Sequence, residues 1–352
     1  MRPYRYLLPL LLLSIGCKKP TYGDPPTETS TFRASGLDVS WNPVNEDCIA
    51  YSSKGTDGYY DIHLTTEDGS VDRCLTCDHP ALPNRHIACP YWHPSGEWLL
   101  MVVEKETHPG SSTDALPGFG AYCDVWLMDS AGNHAHKLID IPNDYDHGVI
   151  APRFSPDGSK IAWTHRVAQP NVFDPHKTAG YWVIKTTDFA FGAADSLPPT
   201  LSNEQTLTPD NAFYESYGFS PDGSHIIYCS NINYPSFLDE HIYTMDLAGG
   251  NVTQLTEKDY NEHGFYMPDG SKIVWMSNAQ ASKGGTDWWM MNPDGSEKTR
   301  LTFFNEPEHP QYAGDAVWCG LGSFHPSGNR FVGGVQLSLV TQEGKIMKVV
   351  LK

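Results

Sequence analysis

The sequence predicts an all-β fold, a β-propeller of about six four-stranded antiparallel blades, and two observations carry that reading. A Pro-centred turn recurs six times along the chain, and after each turn comes a short alternating or apolar run that ends at another Asp- or Gly-rich turn. Neither pattern has the 3.6-residue period of a helix.

The turns are Trp41-Asn42-Pro43, Trp92-His93-Pro94-Ser95-Gly96, Phe154-Ser155-Pro156-Asp157-Gly158, Phe219-Ser220-Pro221-Asp222-Gly223, Met267-Pro268-Asp269-Gly270 and Phe324-His325-Pro326-Ser327-Gly328. Pro presets φ near about −65°, Asp or Ser bonds back to the local backbone, and Gly accepts positive φ, so each turn joins two strands. The strands that follow include Lys160-Ile161-Ala162-Trp163, His225-Ile226-Ile227-Tyr228 and Lys272-Ile273-Val274-Trp275. A third strand comes next, as in Asp124-Val125-Trp126-Leu127-Met128-Asp129, His241-Ile242-Tyr243-Thr244-Met245-Asp246 and Asp287-Trp288-Trp289-Met290-Met291-Asn292. Thr253-Gln254-Leu255-Thr256 and Thr299-Arg300-Leu301-Thr302 close their units as fourth strands. Four strands at intervals of 47 to 65 residues between the prolines make a blade, which buries both faces only when packed between neighbours in a ring. The stretch 188–208 leaves no room for a seventh blade. Trp41, Trp92, Trp163 and Trp275 fall in strands beside turns and belong to the core.

The run Phe154-Ser155-Pro156-Asp157-Gly158-Ser159-Lys160-Ile161-Ala162-Trp163 and the Asp294-Gly295-Ser296 turn leading to Arg300-Leu301-Thr302 resemble the TolB-type, WD-like propeller repeat. The resemblance covers about 36–352. It implies the fold, and it is shared by peptidase propellers, polysaccharide lyases and pure binding modules, so it does not choose a function.

The N-terminus reads as an export signal over 1–16: Arg2 and Arg5, an apolar run from Leu7 to Leu13, then small residues. The run is too short to span a bilayer, which takes about 20 residues. Leu13-Ser14-Ile15-Gly16-Cys17 resembles a bacterial lipobox, which makes Cys17 the lipidation site. The stretch 17–35 is rich in Pro, Thr and charge and reads as a flexible tether. The expected location is therefore the periplasm or the cell surface, with the membrane contacted through the lipid anchor alone. The formal charge of −18 becomes −20 once Arg2 and Arg5 leave. No Lys/Arg cluster follows Lys19, and that excludes nucleic acid, whose phosphates demand clustered cations.

Seven cysteines remain: Cys48, Cys74, Cys77, Cys89, Cys123, Cys229 and Cys319. An oxidising compartment favours pairing, and an odd count leaves at least one thiol free in a monomer. Cys74, Cys77, His86 and Cys89 are open to three readings: a disulfide, buried thiols, or a tetrahedral zinc.

A site is expected on the face that carries the irregular sequence. Second-to-third-strand loops (107–122, 167–180, 231–239, 278–286) share that face with the blade-to-blade connections (80–90, 141–152, 210–218, 258–264, 304–321), whereas the Pro-Asp-Gly turns lie opposite. The connections resemble one another: Asp144-Tyr145-Asp146-His147-Gly148 and Asp259-Tyr260-Asn261-Glu262-His263-Gly264 are near copies, and Tyr214-Glu215-Ser216-Tyr217-Gly218 and Glu308-His309 vary the theme. They enter the innermost strands, so Tyr145, Asp146, Tyr260, Glu262 and Glu308 are candidate binding or catalytic residues. His86, His147, His263 and His309 are candidate ligands of a divalent metal, the one cofactor the pattern accommodates. Equally, such residues repeat because blades are copies and their side chains bond loop backbone. The set is loosely similar to oligogalacturonate lyase-like propellers, which hold a metal through His and Gln; Gln311 lies beside His309. Loop aromatics Phe119, Tyr122, Phe173, Tyr234 and Phe237 either stack on a sugar or peptide or pack on their own loops.

No Gly-x-Ser-x-Gly elbow, phosphate-cradling loop or His-Glu-x-x-His run occurs. The reading that follows is a binding module for an envelope protein or carbohydrate. The competing reading is a metal-dependent polysaccharide lyase or hydrolase at the mouth of the central channel.

Overall fold

A computed structural model describes residues 25–194, 197–234, 236, 238–338 and 343–352. Cys17 and Phe237 lie outside the described residues, as do the segment expected to be an export signal and the first part of the expected tether.

Strand β1 (Thr27–Arg33) precedes five blades formed in chain order. Blade 1 is β2 (Val39–Trp41), β3 (Ile49–Lys54), β4 (Tyr60–Thr65) and β5 (Asp72–Cys74); blade 2 is β6 (Ile87–Trp92), β7 (Trp98–Glu104), β8 (Cys123–Asp129) and β9 (Ala135–Ile139). Blade 3 is β10 (Gly148–Phe154), β11 (Lys160–Ala168), β12 (Tyr181–Ala190) and β13 (Thr200–Thr206); blade 4 is β14 (Tyr214–Phe219), β15 (His225–Ser230), β16 (His241–Asp246) and β17 (Thr253–Gln254). Blade 5 is β18 (Asn261–Tyr266), β19 (Ile273–Ser277), β20 (Asp287–Met291) and β21 (Thr299–Arg300). Blade 6 takes β22 (Trp318–Phe324), β23 (Arg330–Ser338) and β24 (Glu343–Leu351) from the end of the chain and β1 from its start.

That last strand corrects the extent of the tether. Thr27–Arg33 pairs antiparallel with β24 from Thr27↔Leu351 to Arg33↔Ile346 and closes the ring. As an edge strand rich in Thr and Ser with a mostly solvated face, it lacks the apolar alternation by which a strand is recognised in sequence.

The turns form as their chemistry requires. In blade 3, Gly158 (φ +74) donates its N–H to Ser155 O at 2.9 Å, while the Asp157 carboxylate accepts from the Ser155 hydroxyl (2.6 Å) and the Ser159 N–H (3.0 Å). Ser220, Asp222 and Ser224 repeat this in blade 4. In the Trp-His-Pro and Phe-His-Pro copies, His93 and His325 take the aspartate's part: Nδ1 accepts the N–H of Ser95 (3.1 Å) and Ser327 (3.0 Å). A second repeat lies at the Leu-Thr ends of the fourth strands. The hydroxyls of Thr76, Thr208, Thr256 and Thr302 accept the N–H of Ile62, Ile184, Ile242 and Trp288 at 2.9–3.0 Å, satisfying strand donors where the fourth strand has ended.

Between blades, large side chains interdigitate. Trp163 packs with Leu100 and Val125 of blade 2, Trp275 with Ile227 of blade 4, and Trp288 with Phe331 of blade 6. Each fully buried side chain of this kind contributes roughly 1.5–3 kcal/mol, so the aromatics are explained by the ring itself.

Candidate functional site

The innermost strands run from the loop-bearing face to the turn face and line a central channel. Five of the six turn prolines, Pro43, Pro94, Pro156, Pro221 and Pro268, surround a cavity of about 350 Å³ at the turn end. A cavity of about 90 Å³ at the loop end is lined by Asp38, Cys89, Glu215, His263 and Gln336, among others. Arg153 lines both and divides them; its guanidinium lies over the Tyr91 ring at 4.7 Å and donates to Pro152 O at 3.0 Å.

A recurring backbone irregularity aims side chains into the loop-end cavity. The pairing register of the innermost strands shifts between Ala88 and Tyr91, Ile150 and Arg153, Ser216 and Gly218, Glu262 and Phe265, and Cys319 and Gly322. Cys89 (φ +57), Ala151 (φ +51) and His263 (φ +53) occupy the same place, five residues before the turn proline, in the left-handed region. Such bulges re-aim side chains and concentrate at functional sites, where the surrounding structure bears the backbone strain.

Carboxylates gather where blades 4 and 5 meet. Glu215 and Glu262 stand at equivalent positions, six residues before their turn prolines. Their oxygens and the Cys229 sulfur all lie within 4.8 Å of one another. The Tyr217 hydroxyl is 3.1 Å from Glu215 Oε2 and 2.9 Å from Cys229 Sγ, and Tyr260 donates its hydroxyl to Glu262 Oε2 at 2.5 Å. Glu240, just before β16, is 97 % buried, and its Oε2 has no hydrogen-bond partner among the described residues. Burial and the nearby Glu262 charge push Glu240 up to about 9; burial and Glu262 push Glu215 up to about 8; burial raises Glu262 to about 7 against the hydrogen bonds from Tyr260 and Cys229. His263 goes the other way, held down to about 4 by burial. The cluster touches channel space yet is enclosed by protein, so both directions follow from the poor solvation of charge there.

These directions fix a pH dependence. The folded state holds carboxyl protons that the unfolded chain has already lost above its ordinary carboxyl range, so stability falls as pH rises towards 9. His263 opposes this only below about 6.5, where the unfolded imidazole protonates first. For the protein kept in a metal chelator, the melting temperature is therefore expected to fall between pH 6.5 and 9, each titrating carboxyl contributing up to about 1.4 kcal/mol per pH unit. Glu240→Gln should flatten that slope and raise stability at pH 9 while leaving pH 5 nearly unchanged. Calorimetric melting across the range measures both; a slope unaltered by Glu240→Gln would remove Glu240 from the cause.

The histidines expected to converge do not. His86 is buried between blades 1 and 2, where its Nδ1 accepts the Tyr60 N–H (3.1 Å) and its backbone N–H donates to Glu104 Oε2 (3.2 Å). His147 sits at the surface with Nδ1 2.7 Å from Asp144 Oδ1. His309 stacks on Phe303 at 4.3 Å, and its Nδ1 accepts the Gln311 N–H. Gln311 itself accepts from Phe303 N–H and donates to Thr27 O. A His-and-Gln metal set of the lyase type therefore does not fit these residues. His263 lines the channel, its ring 5.4 Å from that of Tyr217. Of the other candidates, Tyr260 and Glu262 join the carboxylate cluster. Tyr145 covers Arg166 at 4.9 Å, Asp146 accepts the Gln169 N–H, and Glu308 is exposed on the loop face. Sequence reasoning passed over Cys229 and Glu240, which read as an ordinary strand residue and an ordinary loop acid, and Arg153. Superposing the repeats on their turn prolines would have paired Glu215 with Glu262.

Cys74 and Cys77 form a disulfide, apart from His86 and Cys89; Cys48, Cys89, Cys123, Cys229 and Cys319 are free, all but Cys48 buried. No helix among the described residues is long and apolar enough to cross a membrane.

No family model matches the chain. Among solved structures it is similar to TolB from Acinetobacter baumannii, with 18 % identity, 92 % of this chain and 65 % of that chain covered, and a TM-score of 0.52. A putative TolB from Agrobacterium tumefaciens covers 93 % of this chain and 98 % of its own at 13 % identity, TM-score 0.54. The chain is a TolB-like six-bladed propeller. An oligogalacturonate lyase in complex with manganese superposes equally well, at 13 % identity over 93 % of this chain and 92 % of that chain, TM-score 0.54. The fold is common to these proteins, and their printed activities differ. Among curated relatives, an uncharacterised protein of Agrobacterium fabrum is 27 % identical over 237 residues, 65 % of this chain, and dipeptidyl-peptidase 5 of Porphyromonas endodontalis is 23 % identical over 248 residues, 61 % of this chain. The TolB-like chain spans 63 % and 32 % of their respective lengths.

Proposed function

We propose that this TolB-like propeller is an exported, Cys17-anchored binding module of the cell envelope, and that its loop face docks a protein partner. One observation carries the reading: large apolar side chains are exposed on the loops of three consecutive blades. Phe119 lies in the β7–β8 loop, Tyr145 in the connection between blades 2 and 3, Val172 (75 % exposed) and Phe173 (93 % exposed) in the β11–β12 loop, and Leu238 in the β15–β16 loop. These loops are tied in sequence around the rim. Asn143 bonds Thr107, Gln169 bonds Asp146, and Asn231 bonds His176. On the turn face Val44, Val71 and Val252 stand on separate turns, and Phe191 and Leu197 share the β12–β13 loop of a single blade. Contiguous exposed apolar surface on a rigid scaffold marks an interaction site. The aliphatic Val172 and Leu238 suit a protein surface better than a sugar, which is gripped by flat aromatic rings.

The test is in-cell cross-linking with the double variant Val172→Asp/Phe173→Asp, with Val252→Asp on the turn face as control. Loss of one discrete cross-linked partner in the double variant alone is expected. Retention of that partner, or its replacement by glycan capture that survives the substitutions, would overturn the reading. Turnover of an envelope polymer by the purified protein would instead favour the lyase or hydrolase alternative.

A further inference from the structure

We propose that Glu215, Cys229 and Glu262 form a binding site for one zinc-class divalent cation, supported by the unpartnered buried carboxyl of Glu240, at the seam of blades 4 and 5 and opening on the central channel. The proposal is independent of the loop-face docking reading.

Three strands supply the clustered donors, Glu215 from β14, Cys229 from β15 and Glu262 from β18, and Glu240 precedes β16. Glu215 O, Cys229 S and Glu262 O already lie within 4.8 Å of one another, with Cys229 Sγ 3.9 Å from Glu262 Oε1. A zinc ion would draw such ligands in to about 2.0–2.3 Å from itself, a small contraction. The independent observation is Glu240. It is a 97 % buried carboxyl with an unpartnered oxygen; the charges of Glu262 and Glu215 bear on it, and its own bears on Cys229. An unpaired buried carboxyl is costly unless a cation or a proton neutralises it.

The remaining features suit a metal rather than a permanently protonated cluster. Tyr217 and Tyr260 hold Cys229 and Glu262 from outside, in the manner of groups that orient metal ligands. Glu215 lines the loop-end cavity, which gives a hydrated ion a path in. A thiolate among carboxylates selects a borderline cation such as Zn²⁺ or Co²⁺ over Ca²⁺ or Mg²⁺, which take oxygen alone. Binding displaces the Cys229 thiol proton and any protons on the carboxyls to solvent, so affinity should rise with pH.

The experiment is a Co²⁺ titration of the metal-stripped, non-reduced full chain, followed by thiolate-to-cobalt charge-transfer absorption and repeated with Zn²⁺ as competitor. One equivalent of Co²⁺ should develop the band, Zn²⁺ should abolish it, and Cys89→Ser should leave it intact. Cys229→Ser should remove the band. Glu240→Gln, a near-isosteric change that keeps the fold even if Cys229→Ser does not, should weaken Co²⁺ binding at least tenfold. No band in the unaltered protein, a band unchanged in Cys229→Ser, or full affinity in Glu240→Gln would each overturn the assignment. Co²⁺ bound without thiolate absorption would place the metal elsewhere and overturn it as well.

Discussion

Arg300→Met is expected to lower the stability of the propeller by about 3–5 kcal/mol, the largest effect of any single charge substitution here. The side chain is 93 % buried, and its guanidinium donates to Asp287 Oδ2 (2.7 Å), Glu306 Oε1 (3.0 Å) and the carbonyls of Thr302 (2.9 Å) and Gln280 (3.1 Å). Asp287 also accepts from the Thr302 hydroxyl and the Phe304 N–H, and Glu306 from Ser282. Methionine replaces the packing of the arginine stem but strands two buried carboxylates, and stranded charge accounts for most of the cost of breaking such a pair. The contrast is Lys185→Met. Lys185 pairs with the half-exposed Glu204 at 2.6 Å, where water screens the attraction and about 0–1 kcal/mol is expected. Urea midpoints of the two variants settle the comparison: equal losses would mean that the Arg300 network is not an anchor. Because Gln280, Ser282 and Glu306 belong to two different loops of the loop face, Arg300→Met should also make those loops the first sites of proteolysis.

The contrast between what was and was not readable has a physical basis. The Pro-Asp-Gly turns are local chemistry: a proline, a carboxylate and a glycine within five residues act on one another wherever they occur. Strand number, blade number and the burial of Trp41, Trp92, Trp163 and Trp275 followed from them. Thr27–Arg33 was misread because pairing between the two ends of a chain leaves no trace in either end alone. The histidines were misread for a related reason. Repetition shows that His147 and His263 occupy similar connections, but which way each points depends on register shifts within the innermost strands. His263 sits on a left-handed residue and faces the channel, whereas His147 precedes β10 and bonds its own loop. Glu262 was legible as a candidate. Its neighbours Glu215 and Cys229 come from the first two strands of the adjacent blade, and packing alone brings them together.

A chain beginning at Gly36 should retain the six inner strands yet lose the closure of the ring. Strand β1 joins three blades. It pairs along β24, the Thr27 hydroxyl donates to Leu301 O of blade 5 at 2.6 Å, and Arg33 reaches Asp72 of blade 1 at 3.5 Å. Six paired positions, at roughly 0.5–1.5 kcal/mol net per hydrogen bond, amount to several kcal/mol, enough to lower the melting temperature by roughly 10 °C. The loss also bares β24, whose Ile346, Met347 and Val349 are buried, and an exposed apolar edge strand recruits other chains. Concentration-dependent association should therefore accompany the lower melting temperature, and a peptide of residues 25–35 added in trans should reverse both by filling the vacant edge. A truncated chain that melted as the full one does and stayed monomeric would show that the inner strands hold the ring alone. The closure matters for the channel too, because Leu37 and Asp38 of the blade 1 entry and Gly334 and Gln336 of blade 6 all line the loop-end cavity, with Leu37 packed against Gly334. Parting blades 1 and 6 widens the space into which Glu215 and His263 project, so truncation should bring the raised carboxyl and depressed imidazole back towards their ordinary values, a change that the pH dependence of melting would register.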